Sequence, residues 1–370
     1  MSILYVLDIL GAPMEFKPDF KAVEPYLKAF WEGEVLDRVA MSVTGPKQRG
    51  FTGYNWLHPA VVNQASAEEI LDGFESVVRQ TFYGGLSVPF FWPNLGPDVF
   101  SAFLGADLKF SVDSQDTSWI DWSQPVLKDY SDLSVLAIRD SNPFYRKILN
   151  LTHQAAERGQ GRYFVGHTDI HAGFDALSVL RGGPQVASID LVENPSGVQA
   201  AMKKLHQAWR KVYDDTYALL TDHQKGTTNW MSIWAPGRMY PVQNDFSCLL
   251  SPGMYREFLL EELIAEIEHL DYSIYHLDGV EALQHLDLLL EIPRLNVIQW
   301  VSGARHANEG IARWIPLFQK IQAKKKSIVV YPRPEEIPMV LENLKPEGLL
   351  IQVWTQDETE AREVLKKCHW

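Results

Sequence analysis

Eight strand-like runs alternate with helix-like runs along this chain, and that alternation predicts an α/β fold: a single (β/α)8 TIM barrel spanning residues 1–370. Two further observations agree. Most of the strand-like runs end in polar or aromatic residues at the same end, where such barrels carry their sites. No Pro-, Gly- or Ser-rich linker divides the chain. The clearest run is Tyr272 to Gly279, Tyr-Ser-Ile-Tyr-His-Leu-Asp-Gly. Side chains alternate faces along a strand, so Ile274, His276 and Asp278 share one face. Gly279 then permits a sharp exit turn.

Taken in order, apolar residues from Phe20 to Trp31 fall at helical spacing and predict a helix over 18–33. A strand follows at 38–45, then a Gly- and aromatic-rich loop to Pro59. Ser66 with Glu69 three residues on reads as a capping box opening a helix to Gln80. A second strand covers 86–92 and a short helix 97–104. Residues 105–145 break the alternation. Short strands at 109–112, 117–119 and 133–138 read as an antiparallel excursion inserted between strands two and three. A helix at 143–157 restores the pattern. Strands are then expected at 162–170, 229–237, 272–279, 297–303, 327–332 and 348–354. The intervening helices fall at 172–181, 195–220, 252–270, 280–290, 310–324, 334–344 and 359–367. Ser251 before Pro252 is an N-cap followed by a first-turn proline.

Net charge is −13 and the pI is near 5.3. Lys324-Lys325-Lys326 is the one basic block, so nucleic acid is not an expected partner. Two widely separated cysteines, Cys248 and Cys368, form no disulfide framework and suit a reducing compartment. Residues 1–11 are apolar but short and lack a basic leader. They read as a strand or docking arm rather than a signal peptide. No apolar run is long enough to span a bilayer, so a cytoplasmic protein without membrane contact is expected.

Residues at the expected strand ends define a candidate site. The third strand offers His167 and Asp169, with His171 next. The fourth offers Trp230, Ser232 and Trp234, and its following loop Arg238, Tyr240, Gln243 and Asp245. The fifth offers His276 and Asp278, the sixth Trp300 and Ser302, the seventh Tyr331, the eighth Gln352 and Trp354. The second ends at Trp92, and Arg49 follows the first. His276, Asp278, Asp169 and Asp245 are the catalytic candidates. His167, Gln243, Trp92, Trp234, Trp300, Tyr331, Gln352, Trp354, Arg49 and Arg238 are the substrate-binding ones. Twelve tryptophans exceed what a core needs, so some should wall a cleft.

Several motifs occur together in order. They are Phe30-Trp-Glu-Gly-Glu-Val-Leu-Asp-Arg38; Asp169-Ile170 with Ala176-Leu-Ser-Val-Leu-Arg-Gly-Gly183, Asp190-Leu and Asn194-Pro195; Asp245 with Leu249-Leu-Ser-Pro252 and Phe258; Tyr275-His-Leu-Asp-Gly279; and Ile298-Gln-Trp-Val-Ser-Gly303. In these the chain resembles the uroporphyrinogen decarboxylase superfamily, especially its methyltransferase-like branch. The resemblance implies a homodimeric enzyme acting on a small organic molecule, with methyl transfer involving a folate or a corrinoid protein as the named chemistry. Two departures stand out. Thr44-Gly-Pro-Lys-Gln-Arg-Gly50 replaces the decarboxylase's Arg-Gln-Ala-Gly-Arg segment, which argues against a porphyrinogen substrate. The His-x-Cys zinc motif becomes His276-Leu-Asp278, and no cysteine follows near Gln352.

No tight structural zinc is therefore expected at His276 and Asp278, which by this count lack the four ligands such a site needs. With Asp169, His167 or Asp245 they would form a nitrogen/oxygen set that binds a divalent ion weakly. Other readings stay open. A carbohydrate-active enzyme would set two of Asp169, Asp245 and Asp278 across a scissile bond in a Trp-rich pocket. A decarboxylase, or a non-catalytic small-molecule binder, would use the same rim.

Overall fold

The computed structural model describes residues 13–53, 57–111, 117–306 and 308–370. The expected N-terminal strand or arm lies outside them. The centre is a seven-stranded, mostly parallel sheet. Its strands are β1 (Ala40–Pro46), β2 (Thr81–Gly85), β7 (Met239–Gln243), β8 (Tyr272–Asp278), β9 (Val297–Val301), β10 (Ser327–Val330) and β11 (Leu349–Trp354). Their order is β2-β1-β11-β10-β9-β8-β7, with β2 alone antiparallel. Aliphatic runs such as Ser-Ile-Val-Val in β10 are buried at every position, as expected of parallel strands covered on both faces.

The two faces pack differently. Ala40, Met239, Ile274, Val297, Val329 and Leu350 share one cluster with Val23, Leu27, Phe30 and Trp31 of the helix Phe20–Trp31. Their strand neighbours, among them Val43, Tyr275, Leu277, Ile298, Ile328 and Ile351, face the surrounding helices. The inner face is therefore the one that carries His276 and Asp278.

A closed eight-stranded barrel is not what the hydrogen bonding shows. The remaining strands are short: β3 (Phe90–Phe91) pairs in parallel with β6 (Phe164–Val165), and Gly166 bridges Thr228. Pro89 and Pro93 flank β3 and have no N–H to give a ladder, so the expected strand 86–92 pairs over two residues. The preceding Thr81–Gly85, expected only as the connection between the helix ending at Gln80 and the strand 86–92, pairs antiparallel with β1. The insertion is present: β4 (Leu108–Phe110) and β5 (Ser118–Ile120) form an antiparallel pair. Leu133–Leu136 within it is a 3-10 turn rather than a strand.

The fourth expected strand is displaced. Residues 229–237 form a turn, and the strand is Met239–Gln243. Asn229 accounts for this. Its Oδ1 accepts from Met231 N at 2.7 Å, its carbonyl accepts from Ser232 N at 2.9 Å, and Ser232 sits at φ 61°. A side chain that captures its own backbone competes with a sheet ladder. Pro241 is tolerated because β7 lies at the edge of the sheet.

The helices follow the expected order with two refinements. The capping box at Ser66 and Glu69 forms as predicted, over Ala67–Arg79. An additional helix, Pro184–Glu193, precedes the long helix Pro195–Thr221. Among the described residues, no helix is long and apolar enough to cross a membrane.

Candidate active site

The site grows from the inner face of β8. His276 pairs in register with Gln243 of β7 and Gln299 of β9. Its Nδ1 is hydrogen-bonded to Gln299 Oε1. An amide oxygen only accepts, so Nδ1 is the donor in this pair. Gln299 also lies beside the Tyr331 hydroxyl, which burial pushes up in pKa and Gln299 pulls back. Trp230 meets the imidazole edge-on, with ring centroids 5.2 Å apart.

Carboxylates gather around this imidazole. β7 runs out through Gln243 and Asn244 into Asp245. Candidate ligand atoms of Asp245, His276 and Asp278 all lie within 4.8 Å of one another, and the same holds for His171, Asp175 and Asp245. Asp169 Oδ1 is 3.1 Å from His171 Nε2. Asp175 accepts from the backbone N–H groups of Asp245 at 3.0 Å and Phe246 at 2.7 Å, which locks the start of the 3-10 turn Asp245–Leu249.

These groups are electrostatically strained. Loss of water, then the neighbouring charge of Asp245, pushes Asp175 up to about 7. Burial raises Asp169 and Asp278 above the usual carboxylate range, against the pull of His171 on the first and His276 on the second. Burial pulls His171 down, but Asp169, Asp175, Asp245 and Asp98 outweigh it and hold its pKa above the ordinary value.

Two cavities open beside the site. One, of about 600 Å³, is bordered by Asp278, Trp300, Trp314, Tyr331 and Arg333. The other, of about 700 Å³, is bordered by Trp92, Trp230, Ser232, Gln352 and Trp354, with Arg49 at its edge. Tyr331 and Trp354 stack at 5.6 Å, one ring bordering each cavity. Arg49 is exposed and paired with Asp357 at 3.1 Å.

Most of the expected residues meet here: His276, Asp278, Asp245, Asp169, Gln243 and Tyr331 at the centre, and Trp92, Gln352, Trp354 and Arg49 along the larger cavity. Four do not behave as expected. His167 faces the helical layer, with Nδ1 2.8 Å from Thr216 Oγ1 and its ring stacked on Tyr213 at 4.4 Å. Burial pushes its pKa down to about 3. The alternation was read on the wrong face there, since Val165 and His167 both point outward. Trp234 is fully buried far from the site, packed on Phe20 and Phe164. Arg238 precedes β7 at the opposite end of the strand, bound to Asp214 at 2.7 Å and lying over Tyr217. Trp300 points outward onto Trp314 and borders only the smaller cavity; its neighbour Gln299 turns inward.

Gln299 and Asp175 were missed, and His171 and Trp230 were noticed but not given roles. Gln299 had a readable signal: an amide inside an otherwise apolar strand, in register with His276. No family model matches the chain, and no curated protein matches it significantly.

Proposed function

We propose that this chain is an enzyme of the uroporphyrinogen-decarboxylase-like (β/α)8 barrel type. Its reaction is group transfer on a small organic molecule, with methyl as the group and a folate or corrinoid protein as the other partner. The barrel reading is supported by the inner cluster. There Leu86, Val88, Phe164, Met231 and Ile233 join residues of β1 and β7–β11 around one centre, although their backbones are not continuously hydrogen-bonded. A homodimer belongs to the same proposal.

One observation carries the reaction class: Asp245, His276 and Asp278 converge on one point at the C-terminal ends of adjacent parallel strands. The thiolate zinc centre of the resembling methyltransferases does not fit these residues. Cys248 is exposed on the Asp245–Leu249 turn and Cys368 lies near the C-terminus. An oxygen/nitrogen divalent cation does fit. Asp278 Oδ1 is buried without a partner, and Nε2 is the His276 ring nitrogen that Gln299 does not engage. Bound there, such an ion acts as a Lewis acid on the substrate's heteroatom. Gln299 holds the His276 ring through Nδ1 beside the carboxylates of Asp245 and Asp278. Asp169 stands 3.1 Å from His171 Nε2 and orients that imidazole beside the reacting group. Trp230 and Trp354 offer aromatic surface against which the rest of the substrate packs.

The carbohydrate reading is less well supported. The carboxylates of Asp245 and Asp278 come within 4.8 Å of each other, with a His276 ring nitrogen within the same distance of both. Retaining glycosidases separate theirs by about 5–5.5 Å and inverting ones by more, leaving the scissile bond between them. The test is an assay of methyl transfer to cob(I)alamin and to tetrahydrofolate from methylated amines, ethers and thioethers, with divalent ion supplied. His276→Ala and Asp278→Asn should abolish turnover. Hydrolysis of glycosides by metal-free protein, with no methyl transfer from any donor, would overturn the proposal.

A further inference from the structure

Asp245 belongs to two ligand sets. It lies with His276 and Asp278 on one side and with His171 and Asp175 on the other, and within each set the ligand atoms are all within 4.8 Å of one another. Both sets mix imidazole nitrogen with carboxylate oxygen, donors suited to divalent first-row cations. Asp169 stands behind the second set at 3.1 Å from His171, the usual position of an outer carboxylate that orients a ligating histidine. Asp175 is held by two backbone N–H groups, and each of its oxygens keeps a second lone pair.

The charge balance points the same way. Asp169, Asp175, Asp245 and Asp278 meet at this mouth, and among the described residues none of them has a Lys or Arg ion-pair partner. Glu75 has Arg158 and Arg162, and Asp190 has Arg181, whereas the buried Glu266 has no cationic partner among the described residues. Asp169 is buried, Asp175 and Asp278 are half-buried, and Asp245 is exposed at the mouth. A separate observation comes from Gln243. It is 8% exposed, and neither its amide oxygen nor its amide nitrogen has a partner. Its register opposite His276 places the side chain on the inner face beside that imidazole, at the strand end that delivers Asp245. An amide oxygen there is a further hard donor.

We infer that the mouth holds two divalent cations bridged by Asp245, one with His276 and Asp278 and the other with His171 and Asp175. The first ion is the one on which the proposed function rests. The second is the new site, and it depends on that reading for the sharing of Asp245.

The test is ion stoichiometry. Metal-depleted full-length protein is titrated with Mn²⁺ and, separately, with Zn²⁺ by calorimetry, and the ion content is measured after desalting. Wild type should take two ions per chain. His171→Ala and Asp175→Asn should each take one, His276→Ala should take the other one, and Asp245→Asn should weaken both by about tenfold or more. The His171 variant guards against loss of folding in the Asp175 variant, whose carboxylate also caps backbone. Circular dichroism checks that each variant is folded. With Mn²⁺ the wild type should show the spin coupling of two ions sharing a carboxylate, and His171→Ala should lose it. One ion per chain, retained in His171→Ala, overturns the second site and leaves the proposed centre standing. One ion lost in His171→Ala and retained in His276→Ala overturns the bridged pair and the proposed centre together. No bound ion does the same.

Discussion

His276 and His167 show how differently one residue type is used. His276 has Nδ1 tied to Gln299 and stands within a set of carboxylates from Asp245 and Asp278, so it is poised for a ligand. His167 is wedged between Tyr213 and Thr216 under the long helix, where burial keeps it neutral and structural. Glu266 is the counterpart among the acids. It is 8% exposed in the helix Leu260–Glu268, and burial, with Glu262 and Asp175 nearby, pushes it up to about 8. Between its unfolded value and that value the folded chain holds a proton that the unfolded chain has lost. Stability from this residue is therefore present at low pH and falls as pH rises toward 8. Glu266→Gln should be more stable than wild type by about 2–4 kcal/mol at pH 8 and by little at pH 5. Urea unfolding at both pH values measures this. A difference that does not change with pH would show that Glu266 is ionised in the folded protein.

At the scale of elements, alternation was a sound guide where a strand was long and regular. β8 runs seven residues without interruption, and its inward face was assigned correctly. β6 has two residues, so alternation extended through His167 and Asp169 had no ladder to rest on. In β9 the bulk of Trp300 suggested a cleft residue, but large aromatic rings also fill the layer between sheet and helices, and here that packing prevailed. The Asn229 turn replaced an expected strand and thereby set Trp230 against His276. Asn229 is fully buried and bonds Met231 N, and its Nδ2 lies 2.8 Å from Met239 Sδ. Asn229→Ala should cost about 1–3 kcal/mol, since it leaves a buried N–H unpaired. It should also change the quenching of tryptophan fluorescence by ligand as Trp230 loses its position. Unchanged stability and fluorescence would mean that the turn is held by other contacts.

For the whole molecule, the helix Phe20–Trp31 is the piece that joins distant parts. Trp31 is 3% exposed; its indole donates to the Trp234 carbonyl at 2.9 Å and its ring meets Tyr272 at 5.2 Å. The chain's end returns to the same region, with the Trp370 indole donating to the Val39 carbonyl at 2.9 Å. Trp31→Ala should therefore cost about 3–5 kcal/mol. Calorimetry should show one transition moved to lower temperature, because the inner cluster that Trp31 supports is shared by every strand of the main parallel sheet. Two separated transitions would show that the helix and the sheet unfold independently.

The sequence by itself determined the α/β alternation, the order of most strands and helices, the inserted pair between β3 and β6, and the inward direction of His276 and Asp278. These follow from periodicity, caps and turn residues, which act over a few positions and can be read locally. Only the tertiary structure decided the open hydrogen-bonding of the sheet, because strand pairing depends on which edges meet and on where proline removes a donor. It also decided the membership of the site. Asp245 lies about seventy residues from Asp175 and about thirty from His276, and their spacing in the chain carries no trace of their meeting. Asp245 and His276 meet because parallel β7 and β8 bring their C-terminal ends side by side, and Asp175 joins them from the helix Gly173–Leu180 by capping the backbone of Asp245 and Phe246.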